Sequence, residues 1–259
     1  MKVKDIMERK VIVVDKDDSL KRVLDLMKKH DITKIPVLES KEFFGLVTDN
    51  VIAYKLGSIR KRSVTASRLH VSSVTEKQVK TISPEDDVKD ILTSVGAPGP
   101  TMLPVVEKRK LVGVVTKADL LPLVKSKEQL HSIMQRKIHT VAPDDRVIHA
   151  RRMMITEDIA RLPVLAEKKL VGIISDIEIA NALATLKKSF SLGKQKHRLD
   201  ELLVEDAMRT PVVWTTPSTT IVDAAEIMMK HNVGSLPVLA SGTLVGMVTR
   251  TDLLKTIVF

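Results

Sequence analysis

The chain has 259 residues, of which 44% are hydrophobic and 29% charged, with a formal net charge of +10. It contains no cysteine, which excludes a disulfide framework and a thiolate metal site. No apolar run reaches the roughly 18 residues of a membrane-spanning helix, and residues 1–5 lead into no signal-peptide core, so we expect a cytoplasmic protein. The positive charge favours anionic partners: nucleotides, nucleic acid or an acidic protein.

The first predicted unit opens with an apolar strand at residues 11–14. A helix follows, predicted from apolar residues at helical spacing: Leu20, Val23, Leu24 and Met27. Two strands, at residues 35–38 and 43–47, are joined by a polar turn, and a second helix begins at Asp49. The order is therefore strand, helix, strand, strand, helix.

The same order recurs three more times in a fixed register. In every copy a strand proline lies 9 residues before a glycine: Pro36 and Gly45, Pro104 and Gly113, Pro163 and Gly172, Pro237 and Gly246. We place the copies at residues 1–57, 70–125, 130–186 and 202–259. The second copy has glycine and proline at residues 96–100, which predicts a short first helix and an irregular loop there.

A hydroxyl follows the last strand of each copy, and a carboxylate comes three residues later in three of them. The pairs are Thr116 with Asp119, Ser175 with Glu178, and Thr249 with Asp252. The first copy has Thr48, but Val51 stands in the carboxylate's place, and Asp49 is a doubtful substitute because it lies on another helix face. We therefore expect no ordinary ribose site in the first copy.

These motifs resemble the CBS domain, named for cystathionine beta-synthase. The resemblance includes an opening methionine, at Met7, Met134 and Met208, which Thr75 replaces in the second copy. It implies an α/β (α+β) fold of four β-α-β-β-α repeats that pair, first with second and third with fourth, into two Bateman modules. The modules would close into a flat disc or pair with a second chain as a homodimer.

The resemblance also implies adenosyl ligands in the clefts between paired repeats, with ribose on the carboxylate and phosphate on the hydroxyl. Physically, a helix start offers unpaired N–H groups to phosphate, and a carboxylate can accept two hydrogen bonds from a ribose diol. The same pattern is also a capping box, which satisfies the helix start without any ligand. Both interpretations stay open.

Basic and apolar side chains complete the predicted sites. In related nucleotide sensors a basic residue ahead of the Pro-Val strand reaches phosphate across the cleft, which assigns Lys34 to the site of the second copy and Arg161 to that of the fourth. Lys117 and Arg250, next to the hydroxyls, are further candidates. The predicted ligand-binding residues are Thr116, Asp119, Thr249, Asp252, Ser175, Glu178, Lys34, Arg161, Val79, Val212, Leu103 and Leu236.

No catalytic triad, P-loop or acidic metal cluster is evident, so we expect no catalysis and no required cofactor. The sequence predicts a regulatory sensor of AMP, ADP or ATP that acts on an effector protein it does not identify. One alternative is a ligand-free scaffold whose basic linkers, around residues 60–68 and 187–198, contact nucleic acid. Another is an S-adenosylmethionine binder. Trp214 is predicted to pack between repeats, with a place beside adenine as the alternative.

Overall fold

The computed structural model describes residues 1–58, 66–95, 102–189 and 201–258. The first repeat consists of β1 (Val14–Asp15), α1 (Leu20–His30), β2 (Lys34–Glu39), β3 (Glu42–Thr48) and α2 (Asp49–Ser58). Its sheet has the order β1-β2-β3, with β1 parallel and β3 antiparallel to β2. The apolar side chains of α1 that recur at helical spacing are buried against this sheet.

The other repeats follow the same plan. The second has α3 (Val88–Val95), β4 (Met102–Glu107), β5 (Lys110–Thr116) and α4 (Lys117–Leu120). The third has α5 (Val147–Thr156), β6 (Arg161–Ala166), β7 (Lys169–Ser175) and α6 (Asp176–Ser189). The fourth has α7 (Ile221–Lys230), β8 (Ser235–Ala240), β9 (Thr243–Thr249) and α8 (Arg250–Leu254). In these repeats a single parallel bridge replaces β1: Ile82 to Val105, Val141 to Val164, and Thr215 to Val238. The predicted fold class is confirmed.

The first helix of the second repeat is shorter than its counterparts. Helix α3 has 8 residues, against 11 in α1. This agrees with the short helix predicted from the glycine and proline that follow it in the sequence. The irregular loop expected at residues 96–100 lies outside the described residues.

Short segments at the start of the repeats cross to a neighbouring repeat, and we call these segments the arms (residues 3–8, 71–76, 130–135 and 204–209). The arms of the first and second repeats exchange: Glu8 bridges Val114, and Glu76 bridges Leu46. The arms of the third and fourth exchange in the same way, through Gln135 with Met247 and Arg209 with Ile173. This confirms the predicted pairing into two modules.

The strand glycines permit the close approach of the arms. A Cβ atom at Gly113 would lie 2.8 Å from Met7 Sδ, and one at Gly246 would lie 2.7 Å from Met134 Sδ. The opening methionine of one repeat therefore packs where its partner has glycine. At Gly45 the side chain of Thr75 and the backbone carbonyl of Glu76 take this place.

Two hydrophobic cores form across the modules instead of within them. One core combines the first and third repeats, and the other combines the second and fourth. Helix α2 packs on α6 in the first core, and α4 packs on α8 in the second. The four repeats thus form a closed ring in the order first, second, fourth, third. Within the described ranges, no helix is both long and apolar enough to span a bilayer.

Candidate functional site

The second and fourth repeats begin their last helices with capping boxes. The Thr249 backbone N–H and hydroxyl both donate to Asp252 Oδ2, at 2.9 and 2.7 Å, and the Asp252 N–H donates to the Thr249 hydroxyl at 3.3 Å. At Thr116 the two bonds to Asp119 Oδ2 are 2.7 and 2.8 Å. The capping interpretation is therefore realised, and it orients each carboxylate beside its hydroxyl.

The third and first repeats differ as their sequences do. The Ser175 N–H donates to Glu178 Oε2 at 3.0 Å, and the Ser175 hydroxyl donates to the same oxygen. The longer glutamate thus reaches the place of the aspartate. In the first repeat Thr48 is 7% exposed, and its hydroxyl accepts a hydrogen bond from the Val51 N–H at 3.3 Å.

The two complete motifs differ in the surroundings of the carboxylate oxygen Oδ1. Asp252 is 8% exposed, and its Oδ1 accepts a hydrogen bond from Gln135 Nε2, in the arm of the third repeat, at 3.3 Å. Asp119 is partly exposed, and its cap uses Oδ2 alone. A ribose diol at Asp252 would therefore compete with Gln135, whereas Asp119 offers an oxygen without that competition.

The apolar positions predicted around the ligand fall into two groups. Leu103 and Leu236 are 0% exposed and pack in the core of the second and fourth repeats, and their predicted contact with a ligand stays a prediction. Val79 and Val212 are partly exposed. Trp214 is 52% exposed, so it is not buried between repeats.

Cationic side chains gather where the repeats meet. Lys117 is only 5% exposed, and its Nζ donates to Thr251 Oγ1 in the fourth repeat at 2.6 Å. Arg161 Nη1 lies 3.4 Å from Ser235 Oγ. The same guanidinium packs so tightly on Gly234 that a Cβ there would lie 2.7 Å from Nη1. Both cations thus cross from their own repeat into the fourth.

The electrostatics pair these cations by module. Burial, and then the positive charge of Lys34, lowers the pKa of Lys117 to about 8, against a partial opposing effect of Asp252. Burial, and then Arg161, lowers the pKa of Arg250 to about 10. Burial also lowers the pKa of Arg161 itself. Each module therefore holds two cations that repel each other, beside a Thr-x-x-Asp helix start.

Arg250 is incompletely satisfied within the described part of the chain. Its Nε is closed to solvent and has no hydrogen-bond partner there, while Nη2 lies 3.4 Å from Asn232 Oδ1. A buried donor without a partner costs about 1–3 kcal/mol. An anion that contacted the guanidinium would offset this cost and the repulsion from Arg161.

The first and third repeats carry acids where the second and fourth carry cations. Lys34 Nζ lies 3.8 Å from Asp49 Oδ1, so Asp49 is an ion partner of Lys34. Burial, and then the charge of Asp49, raises the pKa of Asp176 to about 7. Asp176 was not among the predicted site residues, although it occupies the same motif position as Lys117 and Arg250.

The basic linkers and metal-ligating side chains were also considered in the sequence. The basic linkers fall largely at residues 59–65 and 190–200, outside the described residues. No group of three or more metal-ligating side chains occurs in the ranges that the structure covers.

Comparison with known proteins places these features in context. The uncharacterized protein MJ1404 of Methanocaldococcus jannaschii is 25% identical over 270 residues, and the match covers 98% of this chain but only 61% of that protein. Protein MJ1225 of the same organism is 22% identical over 95% of both chains. Its crystal structure, described as that of a proposed archaeal homologue of g-AMPK, matches 100% of both chains with a TM-score of 0.87 and 21% identity.

Half of the chain also matches part of an enzyme. The inosine-5'-monophosphate dehydrogenase of Korarchaeum cryptofilum is 32% identical over 131 residues, which are 50% of this chain and 24% of that enzyme. The CBS domain family matches residues 3–57, 71–126, 130–185 and 204–258. These four segments include both Thr-x-x-Asp motifs and all four arms. The chain belongs to the CBS domain family.

Proposed function

We propose that this chain is a non-catalytic regulatory sensor that binds an adenine nucleotide, AMP, ADP or ATP, in a cleft of each CBS pair. The observation that carries the proposal is the pair of partly buried cations beside a complete Thr-x-x-Asp motif in each module. The first module has Lys34 and Lys117, and the second has Arg161 and Arg250.

A capping box alone gives no reason for these cations. Two like charges held together away from water destabilise the fold, as the lowered pKa values of Lys117 and Arg250 indicate. A phosphate group would neutralise both members of a pair and accept their hydrogen bonds. The cation pairs therefore favour a phosphorylated ligand over S-adenosylmethionine, which has no phosphate.

The ribose end of the ligand is assigned to the carboxylates. Asp119 has an oxygen that its cap does not use, whereas the Oδ1 of Asp252 already accepts a hydrogen bond from Gln135. We therefore expect the site of the second repeat to bind ribose more strongly than that of the fourth. Glu178 would provide a third and weaker ribose-binding carboxylate, in the module that contains Arg161 and Arg250.

Regulation would follow from the ring. A ligand that contacts both repeats of a pair favours one arrangement of them, and the shared cores carry that preference to the other module. The proposed reader is a separate effector protein in the cytoplasm, and homodimerisation would add a second interface.

Isothermal titration calorimetry tests the proposal with AMP, ADP, ATP, adenosine and S-adenosylmethionine. The nucleotides should bind at least about tenfold more tightly than adenosine, because a charge-assisted phosphate contact contributes on the order of 1.5–3 kcal/mol. Asp119→Ala should lower the affinity for nucleotides and for adenosine alike, whereas Lys117→Met should lower only the affinity for nucleotides.

Three outcomes would refute or replace the proposal. If no ligand binds, the sensor function fails. If S-adenosylmethionine binds and nucleotides do not, the phosphate assignment is wrong. Salt-sensitive retention on heparin that nucleotides do not change would favour nucleic-acid binding through the basic linkers.

A further inference from the structure

Two polar residues at the same repeat position meet across the ring. Asp31 and Asn232 each lie five residues before the strand proline of their repeat, and both adopt left-handed backbone conformations, with φ of 49° and 48°. Asn232 Nδ2 donates to the backbone carbonyl of Asp31 at 3.0 Å and to its Oδ2 at 2.9 Å. This contact joins the first repeat to the fourth, which are not partners in a module and share a core only through the arm of the fourth repeat.

The contact continues toward the cations of the second module. Asn232 Oδ1 lies 3.4 Å from Arg250 Nη2, within reach of a hydrogen bond that the guanidinium donates. Arg209, from the arm of the fourth repeat, reaches Asp31 Oδ1 with its Nη2 at 3.3 Å. A chain of polar contacts thus runs from Asp31 through Asn232 to Arg250.

We propose that Asn232 is a positioning residue for Arg250, so that the first repeat, through Asp31, completes the phosphate site of the second module. This inference rests on the proposed function. It adds that the nucleotide site of one module depends on a residue of the other module.

The chemistry of the amide suits this role. Asn232 donates to Asp31 with its nitrogen and accepts from Arg250 with its oxygen, so both ends of one planar group are used. A carboxylate at this position would have no proton to donate to Asp31 and would repel it. An arginine side chain that is already held loses less freedom when it meets a phosphate.

A consequence is reciprocal coupling between binding and ring closure. If the contact with Asp31 favours the Arg250 geometry that binds phosphate, a bound phosphate must stabilise the contact by the same factor. Nucleotide at the fourth repeat would therefore tighten the junction between the first and fourth repeats.

The test is Asn232→Gly in the full chain, because glycine keeps the positive φ without strain and removes only the side chain. Asp158→Gly is the matched control: Asp158 holds the same position in the third repeat, with φ of 52°, and is exposed. Calorimetric affinities for AMP and adenosine are measured for both variants. Asn232→Gly should lower the affinity for AMP about 5- to 20-fold at one of the two sites and change the affinity for adenosine less than about twofold. Asp158→Gly should change neither.

Asp31→Gly supplies a second variant if Asn232→Gly does not fold. It should reproduce the loss of AMP affinity, and the double variant should lose no more than the larger single effect, because the two residues act through one contact. Unchanged AMP affinity, or equal losses for AMP and adenosine, would overturn the inference while the sensor function stood. A wild-type chain that binds AMP no better than adenosine would refute the proposed function and, with it, this inference.

Discussion

Nucleotide binding should draw protons onto Lys117. Burial and the neighbouring Lys34 lower the pKa of Lys117 to about 8, so about half of the Lys117 side chains are unprotonated at pH 8 in the free protein. A phosphate placed beside Lys117 favours its charged form and raises that pKa. Binding at pH 8 should therefore take up about 0.5 proton per chain, falling to about 0.1 at pH 7, where Lys117 is already charged.

Calorimetry in two buffers with different ionisation enthalpies measures this uptake directly. At pH 8 the nucleotide phosphates are already fully ionised, since their second pKa is about 6, so they add little to the proton count. Lys117→Arg keeps a permanent charge and Lys117→Met has none, so neither variant should take up protons. Uptake below about 0.1 proton in a wild-type chain that binds nucleotide at pH 8, or unchanged uptake in Lys117→Met, would refute the assignment of Lys117 to the phosphate.

Three further predictions concern stability, each measured by chemical denaturation. Because the pKa of Asp176 is raised, the folded chain binds more protons than the unfolded chain between about pH 4 and 7, and the free energy of unfolding should fall by roughly 2–4 kcal/mol as the pH rises through that window. Asp176→Asn should remove this decline, and an equal slope in the variant would contradict the prediction. Asp252→Ala should lose about 1 kcal/mol with its capping box, and no loss would mean that the cap is not formed. Gly45→Ala and Gly113→Ala should each cost about 1–3 kcal/mol. Gly45→Ala should be the worse, because its new Cβ would lie 2.4 Å from the Glu76 carbonyl oxygen, whereas the Cβ at Gly113 would lie 2.8 Å from the flexible Met7 Sδ and 3.0 Å from the Glu8 carbonyl oxygen; the reverse order would contradict the described packing of the arms.

The sequence predicted the elements of each repeat because their signals are local. Apolar spacing marks α1 and α7, and the Pro-to-Gly interval marks the paired strands that follow them. The pairing into modules came from the family resemblance. The short α3 was also predictable, since glycine and proline act on the residues next to them.

The contacts between modules could not be predicted in this way. A pattern of apolar residues shows which face of α2 is buried but does not identify α6 as its neighbour. Arg250 and Lys117 were candidates only because they follow a hydroxyl, and their burial and mutual arrangement depend on ring closure. The sequence shows that Asn232 and Asp31 occupy the same repeat position. Polar residues are common directly after a helix, so this shared position did not by itself predict a contact between them.

The exchange of cores between modules constrains how the chain can be made. One core needs residues from Val14 to Val204, and the other needs residues from Val3 to Leu254. Neither can close until most of the polypeptide has left the ribosome, so folding depends on contacts between residues far apart in sequence, which form slowly. During synthesis the first module is translated before the second, so its apolar faces stay exposed until the second module covers them. In this interval the nascent chain is most open to aggregation and to chaperone binding.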